Sequence, residues 1–118
     1  MKLLEAEPHI RSALERLAES PIEHLRFVII ESPVTKRFVQ FCTPPPPSRF
    51  AGRSEFEGSG SLIYDGTGNG KTGGYEYVQV LCDVDTAVSI AFEVLSRYLP
   101  DDAELRIVEE SGSGERPS

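Results

Sequence analysis

The sequence predicts an α+β fold, a single domain over residues 1–110 with an antiparallel sheet of about five strands and two helices, in the order α-β-β-β-β-α-β. Three observations carry that expectation. Residues 8–19 and 85–99 repeat apolar side chains at the three-to-four spacing of a helix face. The strand-like runs Arg26–Glu31 (RFVIIE) and Arg37–Cys42 (RFVQFC) are joined by a short, turn-rich segment, as in a hairpin. Ser61–Asp65 and Tyr75–Cys82 form a similar couple around a glycine-rich stretch. At 118 residues the chain has room for one core and not for two.

In the first helix Pro8 suits the opening position, where its missing N–H is not needed. Ile10, Ala13, Leu14 and Leu17 make the inner face, while Arg11, Ser12, Glu15 and Glu19 look outward. Leu3 and Ala6 continue the apolar stripe, and Ser20-Pro21 ends the element. The next two runs are nearly continuous in apolar residues, the pattern of strands covered on both faces. Pro44 to Pro47 then lack backbone donors and stop pairing, which predicts a stiff surface loop of polyproline II type. Residues 48–60 read as a polar, glycine-rich loop around Phe50 and Phe56, with a short edge strand near Glu55.

In Tyr75–Cys82, Val78, Val80 and Cys82 share one face and Tyr75, Tyr77, Gln79 and Leu81 the other. Asp85 is placed to cap the second helix. The apolar residues of that helix, Ala87 through Leu99, sweep an arc of about 200°, about twice what a helix resting on a sheet requires. Its flanks therefore need cover from the first helix, the long loop or another subunit. Val88, Ala91, Phe92, Leu95, Tyr98 and Leu99 are the candidate partner interface on that arc. A last strand, Glu104–Glu109, puts Leu105 and Ile107 on one face, and residues 111–118 are expected to be a disordered tail.

Charge narrows the function classes. The net charge is -7, and it is unevenly distributed. Residues 1–75 hold nine basic and nine acidic side chains, whereas residues 76–118 hold three basic and ten acidic ones. Phosphate recognition needs a basic footprint, so nucleic acid is not the expected partner. No apolar run approaches the roughly 18 residues of a membrane span, and the N-terminus lacks the pattern of a secretory signal. A cytoplasmic location is the resulting expectation.

Chemistry-bearing motifs are sparse. Cys42 and Cys82 each end a strand-like run; the sequence leaves open whether they pair, and two buried thiols are the simpler reading. His9 and His24 stand in no recognisable motif, and no spacing suggests a metal or cofactor site. Residues 65–72, DGTGNGKT, imitate the second half of a phosphate-binding P-loop at Gly70, Lys71 and Thr72. Asp65 stands where the first glycine belongs, and the segment leads into a strand instead of a helix N-terminus, so nucleotide binding is not expected. The acidic pairs Glu55/Glu57, Asp83/Asp85 and Asp101/Asp102 have no identifiable catalytic companion, and no serine lies in a GxSxG context.

The order of helix, RFVII strand, short turn, RFVQFC strand, further strands and an apolar helix resembles the small α/β domains grouped as YbjN-like and type III secretion chaperone-like proteins. The closest local match is the FVQF strand, Phe38 to Phe41, after its short turn. The resemblance spans residues 8–99 and rests on a hydrophobic pattern; it implies a domain that dimerises or holds a partner segment. The leading expectation is thus a non-enzymatic protein-binding domain of chaperone-like or adaptor kind, working as a homodimer without a cofactor. A second is an acidic antagonist, such as an immunity protein, for a basic partner. A third is a small-molecule-binding domain or enzyme with a pocket edged by Tyr64, Tyr75 and Tyr77 near the glycine-rich stretch.

Overall fold

The computed structural model describes residues 1–19, 26–43, 62–69 and 74–111. A 3-10 turn, Leu3–Glu5, leads into helix α1, Glu7–Ala18, followed by strands β1, Arg26–Glu31, and β2, Arg37–Cys42. Strands β3, Leu62–Asn69, and β4, Gly74–Cys82, precede helix α2, Val84–Tyr98, and strand β5, Arg106–Ser111. The α+β class and the element order agree with the sequence-based expectation. The proline run 44–47, the loop 48–60 with its strand near Glu55, His24, Lys71 and residues 112–118 of the expected tail lie outside the described residues, while Ser111, expected to open that tail, is the last residue of β5.

All neighbouring strands run antiparallel, in the spatial order β4-β3-β2-β1-β5. The β1–β2 hairpin closes through Ser32, whose N–H bonds the Arg37 carbonyl at 2.8 Å and whose hydroxyl accepts from the Thr35 N–H at 3.2 Å. Lys36 takes a left-handed backbone conformation at φ 65° to turn the chain.

Both helices pack on one face of the sheet. Val28 and Ile30 of β1, Val39 and Phe41 of β2, Leu62 and Tyr64 of β3 and Cys82 of β4 supply the floor of the core. Ile10, Ala13, Leu14 and Leu17 of α1 and Ala87, Val88, Ala91, Val94 and Leu95 of α2 fill it from above. The helices also touch each other, α1 reaching β1 and α2 reaching β2 and β3. The alternating burial of β1 shows that its near-continuous apolar run is fully covered on the helix side only; Phe27 and Ile29 on the other side are half-buried.

Three boundaries differ from expectation, each for a physical reason. Asp83 caps α2, accepting the Thr86 N–H at 2.7 Å, while Asp85 sits in the first turn and pairs with Arg11 at 2.6 Å. The last strand begins at Arg106, because the preceding backbone is taken by the N-terminus: Leu105 N–H bonds the Met1 carbonyl at 2.6 Å, and Lys2 bridges Glu104. Most of the glycine-rich stretch is strand, since β3 continues through Gly66, Thr67 and Gly68 to Asn69.

A bulge makes this continuation possible. Along β2, Phe41 pairs with Tyr64 and Gln40 with Gly66, leaving Asp65 as the extra residue. Gly66 adopts φ 148°, a value open to glycine and costly for residues with a Cβ. Thr67 then falls opposite Val39, on the helix side of the sheet.

Candidate interaction surface

The six residues of the candidate interface divide sharply in their surroundings. Val88, Ala91, Leu95 and Leu99 are buried within this chain, so the wide apolar arc of α2 is covered by α1 and the sheet and does not await a second copy. Phe92 is half-buried and packs against the same core. Tyr98 alone of the six stays exposed, at 41 %, and its ring lies under the Arg37 guanidinium, 4.0 Å from centroid to Cζ. A cation over an aromatic face holds both side chains in place. The expectation that α2 is the partner surface is therefore corrected; helix–helix packing already buries it.

Besides Tyr98, the exposed large apolar side chains among the described residues are Leu4, Val34 and three on β4. Tyr77 is 66 % exposed, Val78 43 % and Val80 41 %. β4 ends the order of the described strands. The opposite edge, β5, is built differently. It carries Arg106, Glu109 and Glu110 among six residues, and two of these are held in ion pairs, Arg106 with Glu31 and Glu109 with Arg16. Charged side chains are a common guard on edges that must not pair. From Glu76 to Cys82, β4 carries the single charge of Glu76.

The proposed tyrosine pocket does not assemble. Tyr64 pairs with Val80 in register and points into the core, where its hydroxyl meets that of Thr67. Burial pushes its phenol pKa upward. Tyr77 lies opposite Gly66, on the face away from the helices. The two rings are thus separated by the sheet itself, and the side chain of Tyr75 lies outside the described residues. A cleft of about 160 Å³ opens between α1 and β1, lined by Arg16, Leu17, Arg26, Phe27, Val28 and Glu109. Ligand pockets commonly reach roughly 300–1,000 Å³, so this cleft is small for a metabolite.

Beneath the β4 edge, on the side away from the helices, Asp65 gathers two carboxamides. It accepts from Gln40 Nε2 at 2.7 Å and from Gln79 Nε2 at 3.0 Å, and is itself 9 % exposed. Strands β2, β3 and β4 are thereby stitched together at the bulge. Asp65, at the place of the first P-loop glycine, is a structural anchor in a strand.

The cysteines sit on opposite faces. Cys42 pairs with Ile63, on the side away from the helices, and Cys82 pairs with Leu62, in the core. Both are free and buried. With β3 between them their backbones stand about 9–10 Å apart, beyond the roughly 7 Å reach of a disulfide. Burial, helped by the Asp65 carboxylate, pushes the Cys42 thiol up to about 12, and burial pushes Cys82 up to about 11. Neither thiol is a nucleophile at neutral pH. Among the described residues no three His, Cys, Asp or Glu side chains are grouped to hold a metal ion.

The acidic second half of the chain is partly neutralised by the first. Arg11 binds Asp85 at 2.6 Å and Arg16 binds Glu109 at 2.6 Å, while Glu93 is bonded by Arg97 at 3.2 Å and Glu104 by the N-terminal amine at 2.6 Å. The acidity that suggested an antagonist is interleaved with cations in space.

Comparison with known proteins finds no matching family model, no similar curated protein and no similar solved structure. No described helix is long and apolar enough to cross a membrane. The signal for this surface was present in the sequence as the alternation of Tyr77, Val78 and Val80; what sequence reasoning missed was the place of that strand in the order of the described sheet, beyond β3.

Proposed function

We propose that this chain is a non-enzymatic protein-binding domain, of adaptor or chaperone-like kind, which acts as a homodimer. One observation carries the reading: the aliphatic side chains of Val78 and Val80 stand 43 % and 41 % exposed on β4, a strand with the single charge of Glu76 between Glu76 and Cys82. Exposed aliphatic groups on one strand face gain from being covered by a partner surface. The free, buried thiols fit a reducing compartment, and we assign the domain to the cytoplasm.

Light scattering after size separation tests this directly. At tens of micromolar (about 10–50 µM, a concentration suited to a modest interface) the protein elutes with the mass of two chains. Val78→Lys, which places a charge on the exposed side of β4, gives a folded monomer by the same measurement. A monomeric parent chain at that concentration overturns the homodimer.

A further inference from the structure

Resting on the protein-binding reading above, we infer that the β1–β2 turn and the end of α2 form a docking surface for an acidic segment of a second protein, one with an aliphatic side chain beside its carboxylates. The turn is held by Ser32, itself buried, which closes it three times. Its N–H bonds the Arg37 carbonyl, its carbonyl accepts the Lys36 N–H at 2.8 Å and its hydroxyl accepts the Thr35 N–H. This turn presents Val34, 77 % exposed, and the exposed Lys36. Arg37 opens β2 two positions before Val39, so both face the helices, and there its guanidinium lies over the Tyr98 ring of α2.

The cations at this end have no acids to answer them. Arg11, Arg16, Arg97 and Arg106 each hold a carboxylate, whereas Lys36 and Arg37 take part in no ion pair among the described residues. From Ser32 to Ser54 the chain contains no Asp or Glu. Tyr98 covers one face of the Arg37 guanidinium and leaves its N–H groups, which lie in the plane of the group, to donate sideways. A carboxylate accepts two such parallel bonds, and a guanidinium already stacked loses little freedom in making them. Lys36 adds a second charge and Val34 an apolar contact beside it. A nucleic-acid strand is the poorer match, because a chain of net charge -7 repels a polyanion and the aliphatic Val34 gains nothing from a phosphate.

Fluorescence anisotropy of the full chain tests the surface, the probe being a short fluorescein-labelled peptide of alternating glutamate and serine around one leucine. The peptide binds and its glutamine counterpart does not. Raising sodium chloride from about 0.05 to 0.5 M weakens the binding, the reverse of the salt response of an apolar homodimer. Arg37→Gln weakens it about tenfold, the loss of a charge-assisted pair, and Tyr98→Leu weakens it with every charge retained. Lys36→Asn weakens it as well; asparagine accepts the left-handed backbone of position 36, so this variant decides the matter where loss of the stacked pair impairs folding. Exchanging the leucine of the probe for serine lowers its affinity for the parent chain and leaves that for Val34→Ser unchanged. No binding, equal binding of the glutamine peptide, or an Arg37→Gln chain that binds like the parent overturns the docking surface. Stronger binding of an oligothymidylate than of the peptide makes it a phosphate site and overturns the protein partner. Light scattering separates the two readings: a homodimer that ignores the peptide overturns this surface alone, and a monomer that binds it overturns only the homodimer.

Discussion

Residues settle the fate of the chemistry-bearing side chains more than elements do. Cys42 and Cys82 lie on neighbouring sheet positions in sequence logic, each at the end of a strand, but strand parity sends one to each face. Their thiols are held up by burial, so the native protein contains little thiolate. For Cys42 a rise from 9.0 to about 12 means about a thousandfold less thiolate at neutral pH than in the unfolded chain. Ellman's reagent at pH 8 should therefore leave both cysteines unmodified in the native protein and titrate two thiols per chain once denaturant is added. Rapid labelling of either in the native state would show that its burial is wrong. The linkage has a definite sign. A thiol whose folded pKa is raised stabilises fully below its unfolded value of 9.0, and that contribution is lost as pH rises toward about 11 and 12. The buried state of the two cysteines was legible in the apolar runs that end with them; their opposite orientation was not, because it depends on which strand lies between.

Elements show a different division between what the chain encodes locally and what tertiary pairing decides. Both helices and the first two strands were legible from periodicity and turn residues alone, since the 3.6-residue stripe and the RFVIIE and RFVQFC runs are local signals. The capping residue was misplaced by two positions because Asp83 and Asp85 are equally good caps in isolation. Arg11 decides between them by drawing Asp85 into an ion pair from α1. Hydrogen bonding from Thr86 holds the Asp83 carboxyl below its ordinary range. Stability from a carboxyl with a lowered folded pKa is present above the unfolded value, near 3.9, and is lost as pH falls through the folded one. Asp83→Asn keeps a capping oxygen but does not titrate, so its melting temperature should equal the parent's more nearly at pH 3 than at pH 7. Asp83→Ala should melt lower than the parent at pH 7, by an amount that narrows on acidification. Equal parent-to-variant gaps at both pH values, read by circular dichroism, would remove Asp83 from the acid dependence. The start of β5 was not legible, since Glu104 and Leu105 continue the apolar alternation yet are taken up by the N-terminal backbone.

Viewed whole, the molecule does not keep the charge division of its sequence. A neutral first part and an acidic last part become mixed once Arg11 and Arg16 of α1 reach Asp85 and Glu109. The sum remains -7, and two such chains repel as they approach. An interface made of valines and tyrosine against that background should tighten as salt rises, because screening removes repulsion and leaves apolar contact intact. Sedimentation between about 0.05 and 0.5 M sodium chloride should show the dimer fraction increasing, given a Debye length that shrinks across that range. A decrease would mean that attractive ion pairs hold the two copies. The site was only half legible in the sequence: β4's exposed side chains follow from its alternation, but its place beside β3 follows from strand order, which no local pattern specifies.

The extra residue at Asp65 has one more effect, on phase. Leu62 and Tyr64 face the helices, and an unbroken alternation would continue inward with Gly66 and Gly68. By spending two consecutive outward positions, Asp65 and Gly66, the chain switches from even to odd, so that Thr67 takes the inward place and bonds Tyr64. Flattening the bulge with Asp65 kept in the chain would restore that unbroken alternation and bring two residues without side chains under the helices. The layer above Val39 would then be hollow, and the threonine that closes it would stand in water.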